Sequence, residues 1–170
     1  MTVTITAASR SDEGVIQNLV QLYTHDFSEY WRGTTRGNLL PNGLFEAYPL
    51  EEYWTRGDWP ALLVWCDGIL TGFSLINNKG HLDGPIDRNM AEFFILRKYR
   101  GLGVGRLAAE AIFNQYPGMW QVAVTRKNIP AGVFWRKVIG GSPHVTGYFE
   151  TDINTNHWNG FVMRFRWGAV

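Results

Sequence analysis

The segment from Met90 to Thr125 reads as strand, helix, strand, and no other part of the chain restricts the fold as strongly. MAEFFIL is a short apolar run of buried-strand length. After the turn RKYRGLGVG, the residues Val104, Leu107, Ala108, Ala111 and Ile112 mark one face of a helix that Pro117-Gly118 ends. MWQVAVT is again a strand. A strand that passes through a helix into a second strand returns by a crossover, so the two strands lie parallel with the helix across one face. Every other element has to attach to that unit.

The flanking pattern is mostly that of antiparallel pairs. MTVTITAA alternates and is β-branched, which predicts a first strand. In DEGVIQNLVQLYTHDFSEYW, residues Val15, Ile16, Leu19, Val20, Tyr23, Phe27 and Tyr30 recur at helical spacing, with Ser11 or Asp12 as the cap. The connection RGTTRGNLLPNG leads to LFEAYPLEEYW, read as a second helical segment broken near Pro49. ALLVWCDGILTGFSLINN predicts two strands about Asp67-Gly68, and HLDGPIDRN a loop. IPAGVFWRKVIGG is a short helix with Pro130 in its first turn and Gly140-Gly141 at its end. HVTGYFETDI and FVMRFRW close the chain as strands. The order β-α-α-β-β-β-α-β-α-β-β describes an α/β domain over residues 1–170. Its mixed, mostly antiparallel central sheet has one parallel pair, strands four and five, and is flanked by helices. No internal repeat is present.

Charge bears on partners. The formal net charge is +1, whereas a protein that lives on the phosphate backbone carries a basic excess, so no nucleic acid is expected. Arg97, Lys98, Arg100 and Arg106 nevertheless bunch around the glycines, which suits a small polyanion better than a polymer. Cys66 is the single cysteine and reads as a buried packing residue. With no charged-then-apolar leader in MTVTITAASR, a reducing cytoplasm is expected, and no apolar run approaches the ~18 residues of a membrane span. The histidines 25, 81, 144 and 157 lack metal-ligand spacing.

The glycines Gly101, Gly103 and Gly105 admit three ligand readings beside that of a plain tight turn. Gly103-Val-Gly105-Arg-Leu-Ala108 matches the dinucleotide pattern G-x-G-x-x-A. Yet Arg97 to Arg100 separate it from the strand, and Arg126-Lys127-Asn128 stand where a ribose-binding acid belongs. A nucleoside-triphosphate loop needs Gly-Lys-Ser/Thr, and Gly105 is followed by Arg106-Leu107. The third reading is a pyrophosphate held by the amides from Leu102 to Arg106 at a helix N-terminus, with Arg100 and Arg106 as cations.

Arg100-x-x-Gly103-x-Gly105 after one strand, with Asn128-x-x-Ala131-x-x-Phe134 after the next, resembles the GNAT superfamily of acetyl-CoA-dependent N-acetyltransferases. The resemblance is detailed over about residues 90–139, and the element order extends it over the chain. It implies acetyl-CoA as cofactor, with its pyrophosphate on Arg100, Gly101, Leu102, Gly103, Val104, Gly105 and Arg106. It also implies a pantetheine arm that pairs with the exposed edge of the fourth strand, at Phe94, Ile95, Leu96 and Arg97. Asn128 matches an asparagine that bonds the pantetheine region, or is an ordinary helix cap. Phe134 packs beside the cofactor, or in the core.

Glu92, an acid inside an apolar strand, falls where the family often places a general base; facing solvent or pairing with an arginine are the other options. Many members carry a tyrosine proton donor just after the Phe134 position. Here Trp135 stands, whose indole cannot give up a proton; Tyr148 is the substitute considered, with packing in the sheet as the favoured alternative. The acceptor pocket implied between the first helices and the last hairpin would use Tyr23, Asp26, Phe27, Glu29 and Tyr30, acids amid aromatics that suit a cationic amine; an amphipathic helix with a solvated acidic edge explains the same residues, and is the reading favoured. The activity implied is direct attack of a primary amine, on a small molecule or peptide, upon the thioester in a ternary complex, by a monomer or homodimer. A non-catalytic acyl-CoA binder of the same fold is the alternative that Trp135 favours.

Overall fold

A computed structural model of the chain describes residues 1–155 and 158–168, so His157 lies outside the described residues. Seven strands form one sheet: β1 (Val3–Ala7), β2 (Ala61–Cys66), β3 (Ile69–Asn77), β4 (Arg88–Ile95), β5 (Gly118–Thr125), β6 (Val145–Asn154) and β7 (Asn159–Trp167). Four α-helices accompany them: α1 (Glu13–Ser28), α2 (Glu51–Thr55), α3 (Val104–Gln115) and α4 (Ile129–Gly140). The strand order is β1-β2-β3-β4-β5-β7-β6, and β4 and β5 are the parallel pair. Asp67 and Gly68 both take positive φ, 50° and 78°, the backbone of a two-residue turn whose twist matches the hairpin.

The two faces of the sheet are covered by different helices. Ile16 and Val20 of α1 and Tyr53 of α2 pack with Leu63, Phe73, Leu75 and Phe94. On the other face, Ala109, Ile112 and Phe113 of α3 and Trp135, Val138 and Ile139 of α4 pack with Trp120, Val122, Met163, Phe165 and Trp167. Phe113 lies at the centre of that side, with its ring edge-on to Trp120 and Phe165 at 4.8 and 5.3 Å. Aromatic abundance in the sequence is thus largely core.

Two irregularities prepare the site. Parallel pairing stops early: only Arg88, Asn89 and Met90 face Trp120, Gln121 and Val122. Beyond this, β4 stays with β3 as far as the Ile95–Gly72 pair, while β5 stays with β7 as far as Thr125–Gly160, so a gap opens between them. The register of β3 with β4 also skips Ala91, a bulge that shifts the alternation by one residue. Met90 and Phe93 therefore face α3 and α4, while Phe94 faces α1.

The segment before α2 departs from its sequence pattern. Only Glu51–Thr55 is helical, and residues 44–50 run alongside α1 without forming a helix. Gln21 and Gln17, one turn apart on α1, act there as a substitute strand edge. The Phe45 N–H donates to Gln21 Oε1 at 2.8 Å and Gln21 Nε2 to the Phe45 carbonyl at 3.2 Å. Gln17 pairs in the same way with Tyr48, at 3.1 and 2.8 Å. Backbone groups satisfied by side chains need no helix, and this strap fixes Tyr48 over the sheet.

Candidate functional site

The gap between β4 and β5 opens into a cleft of about 880 Å³. Its floor is the free edge of β4. The Leu96 N–H donates to the Thr71 carbonyl at 2.8 Å, on the β3 side, so alternation turns the backbone groups of Phe93 and Ile95 toward the gap. One end of the cleft is the glycine turn. Gly101 and Gly103 have φ of 76° and 86°, left-handed values that side chains resist. Leu107 N–H to Gly103 carbonyl opens the α3 ladder, which leaves the amides of Val104, Gly105 and Arg106 without a preceding helical acceptor. Gly105 sits under Phe134, where an added Cβ would lie 3.2 Å from the ring. These are the parts of a site for an anion attached to an extended amide chain.

Most of the residues expected to hold a cofactor meet here: Phe94, Ile95, Arg97, Arg100, Gly101, Gly103, Gly105, Arg106, Asn128 and Phe134 line the cleft. Leu96, Leu102 and Val104 do not. Leu102 is exposed on the turn and Val104 is fully buried with Cys66 and Ile95, so only their backbones can serve. Asn128 caps α4, its Oδ1 accepting the Ala131 N–H at 3.1 Å, and also borders the cleft. Cys66 is buried and lines neither cavity.

The arginines differ from the expected free cations. Asp26, near the end of α1, accepts Arg97 Nε at 2.8 Å and also a hydrogen bond from Arg100, whose Nε donates to the Ile95 carbonyl at 2.7 Å. Arg106 pairs with Glu110 one turn along α3, at 3.0 Å. Asp26 is consequently occupied and does not await an amine. Glu29 is likewise engaged by Tyr30. An acidic acceptor pocket built on these two residues is not what the fold assembles; they border the cofactor-side cleft instead.

A second cavity, about 860 Å³, adjoins the first and shares Tyr23, Phe27, Tyr30, Phe93, Asn128, Ala131 and Trp135 with it. It lies between α1 and residues Trp158 and Asn159, and Glu92 is on its wall. The hydroxyls of Tyr23 and Tyr48 are hydrogen-bond donors to the Glu92 carboxylate. Burial nonetheless pushes the Glu92 carboxyl above its ordinary range, and burial beside that carboxylate raises both phenols. Tyr53 continues the chain to Tyr48 and to Asn77, and its own burial pushes it up to about 12. Asn77 Oδ1 in turn accepts from Asn89 Nδ2 at 3.0 Å.

Tyr148, considered from sequence as a proton donor, is not brought to either cavity. It stands on the edge strand β6, and its hydroxyl donates to Glu150 Oε2 at 3.1 Å, a carboxylate already paired with Arg136. Trp135 is buried against Phe93, at 5.1 Å between ring centroids, and walls both cavities. Sequence reasoning missed Tyr48, Tyr53 and Arg36. Tyr48 and Arg36 lie in segments without helical periodicity to announce a role, and the approach of Tyr48 to Glu92 joins residues far apart in the chain. Among the described residues there is no cluster of metal-ligating side chains, and no helix is long and apolar enough to cross a membrane.

No family profile matches the sequence, and no curated protein does. Solved structures do. A GNAT-family acetyltransferase from Streptococcus agalactiae superposes with a TM-score of 0.64 at 13% identity, over 99% of this chain and 96% of that one. The PaiA N-acetyltransferase of Thermoplasma acidophilum, in complex with coenzyme A, gives 0.60 at 16% identity, over 98% and 100%. A structure described as a histone acetyltransferase and related acetyltransferase, from Corynebacterium glutamicum, gives 0.63 at 13% identity, over 100% and 99%. The fold is that of the GNAT acetyltransferases.

Proposed function

We propose that the chain is an N-acetyltransferase that moves an acetyl group from acetyl-CoA to a primary amine. The observation that carries this reading is the position of Glu92: a half-buried carboxylate, held by two phenols, on the wall of one cavity next to the strand edge that floors the other. The first cavity fits the donor. Left-handed glycines and orphan amides at the start of α3 suit a diphosphate, and the β4 edge at Phe93 and Ile95, which no strand covers and where only the Ile95 carbonyl is engaged, by Arg100, suits an amide-bearing arm. Acetyl-CoA, when bound, supplies the activated acetyl thioester.

The chain's own groups do the rest. Glu92, with its raised affinity for a proton, takes one from the acceptor ammonium or from a water beside it. The amide hydrogens that face the gap are donors for the charge that grows on the carbonyl oxygen. Trp135 and Phe93 keep that region dry. Because Trp135 cannot protonate the departing thiolate, it leaves charged, at a cost of about 1.4 kcal/mol for each unit by which the thiol pKa exceeds the pH.

A thiol-release assay with acetyl-CoA and a panel of amines and peptides tests the proposal. Turnover that drops by two orders of magnitude or more in Glu92→Gln is expected. Tight coenzyme A binding with no turnover across the panel would instead identify a non-catalytic binder.

A further inference from the structure

The cavity that holds Glu92 has an unusual balance of charge. Its walls carry Arg36, Lys79, Arg126 and Lys127, and Glu92 is the acid among them. Two of the cations are already neutralised from outside: Lys79 by Glu52 at 3.1 Å, and Arg126 by Asp152. Arg36 has no carboxylate partner among the described residues, yet it is not a loose surface side chain. Its guanidinium lies over the Trp31 ring at 4.4 Å, and Trp31 packs on Phe27 at 5.6 Å. The turn around it is built tightly. Thr34 Oγ1 donates to the Trp31 carbonyl at 2.8 Å and accepts the Arg36 N–H at 3.2 Å, while Gly37 leaves no room for a side chain beside the Trp31 ring, which an added Cβ would meet at 2.7 Å. Arg36 is also near enough for its charge to act on both Glu92 and Tyr23.

Two residues of this lining also carry a polar atom that is closed off from the cavity and has no partner among the described residues. Asn89 is 3% exposed; its Nδ2 is used by Asn77, but its Oδ1 accepts nothing. Trp158 Nε1 is a buried donor with no acceptor, its ring set against His81 at 4.6 Å. An unneutralised guanidinium and a carboxylate on the walls of one cavity are matched by a ligand bearing both an anion and an ammonium.

We infer that the acceptor is a small amine that also carries a carboxylate, with its amine at Glu92 and its carboxylate at Arg36. This rests on the acyltransferase reading of the same site. A guanidinium held over an aromatic ring can still offer its fork to a planar carboxylate through two parallel hydrogen bonds. The aromatic walls contributed by Tyr23, Phe27, Tyr30 and Trp31 suit a short hydrocarbon body between the two charged ends. A polyamine or other polycation is disfavoured, since it would place its second positive charge among Arg36, Lys127 and Arg126.

The test uses matched acceptors with the full chain: amino acids such as glycine, 4-aminobutyrate and leucine, the carboxamide of each, and the alkylamine left when the carboxylate is removed. Thiol release with acetyl-CoA and calorimetric binding to the coenzyme A-loaded protein are measured for every member. The expected result is a preference of ten- to a hundredfold for the carboxylated member of a set, read mainly in KM. Arg36→Gln should reduce that ratio to near one, Arg36→Lys should restore part of it, and Arg36→Glu should invert it. Equal or better use of the carboxamides and alkylamines, or no binding of any carboxylated compound, overturns the inference. Failure of the acyltransferase reading would be seen separately, as the absence of heat with coenzyme A itself or as coenzyme A binding with no thiol release from any member of any set.

Discussion

At Glu92 the surroundings pull in opposite directions. Burial disfavours the charged form, whereas the Tyr23 and Tyr48 hydroxyls and the nearby Arg36 favour it; burial is the larger effect, so the carboxyl titrates above its ordinary value of 4.5. The consequences for rate and for stability have opposite signs. A base must be unprotonated, so kcat/KM should rise with pH through an inflection above 4.5, and Glu92→Gln should remove both that limb and at least about a hundredfold of turnover. In the folded chain the proton is held more firmly than in the unfolded one. Stability attributable to this group is therefore greatest below the unfolded pKa and declines as pH rises through the folded one. At neutral pH the glutamine variant should melt at the same temperature or higher, by about 2–4 °C for each kcal/mol recovered. A pH–rate profile beside thermal melts checks the pair of signs; a variant with full turnover and a lower melting point would make Glu92 a structural residue. That an acid interrupts an apolar strand is visible in the sequence. That Tyr48 meets it is not, because the phenol arrives on a strap 44 positions upstream, held by glutamine side chains rather than by any regular element.

Elements explain how the two cavities come to adjoin. The bulge at Ala91 changes the phase of β4, the parallel pairing ends at Met90, and α3 starts from a turn whose glycines bend the chain back over the gap. The last of these was legible, since glycine spacing and helical periodicity are local signals. The bulge was not, because it depends on how β3 and β4 align. Two variants test this level. Gly105→Val forces its side chain on the Phe134 ring, which already lies within 3.4 Å of where a Cβ would be, and should weaken coenzyme A binding about tenfold or more in calorimetry with a modest loss of stability. Gln17→Leu removes both hydrogen bonds to the Tyr48 backbone and leaves that N–H and carbonyl unpaired. A loss of about 1–3 kcal/mol in denaturant unfolding is expected, together with reduced turnover and unchanged coenzyme A affinity.

Across the whole molecule, one sheet separates two cores of different character. The α1 side carries the polar network that ends at Glu92, and the α3–α4 side is aromatic and dry, organised around Phe113. Truncation of that fully buried ring should cost about 3–5 kcal/mol, or roughly 6–20 °C in a thermal melt, and should alter the fluorescence of Trp120 and Trp167, which contact it. The single parallel pair and the hairpins could be read in advance because they announce themselves within about 35 residues; the place of β1 beside β2 and of β7 between β5 and β6 could not, because those pairings join distant segments. The acceptor cavity could not. The family resemblance would put acids of α1 there, but Asp26 is claimed by Arg97 and Arg100, and the charge that remains over the cavity is positive. The central claim is that the β4 edge and the amides opening α3 form the donor site. Residue-resolved amide hydrogen exchange, with and without acetyl-CoA, tests it most directly: protection should appear at Phe93, Ile95 and residues 102–106, whereas binding that protects other amides and leaves these unchanged would contradict it.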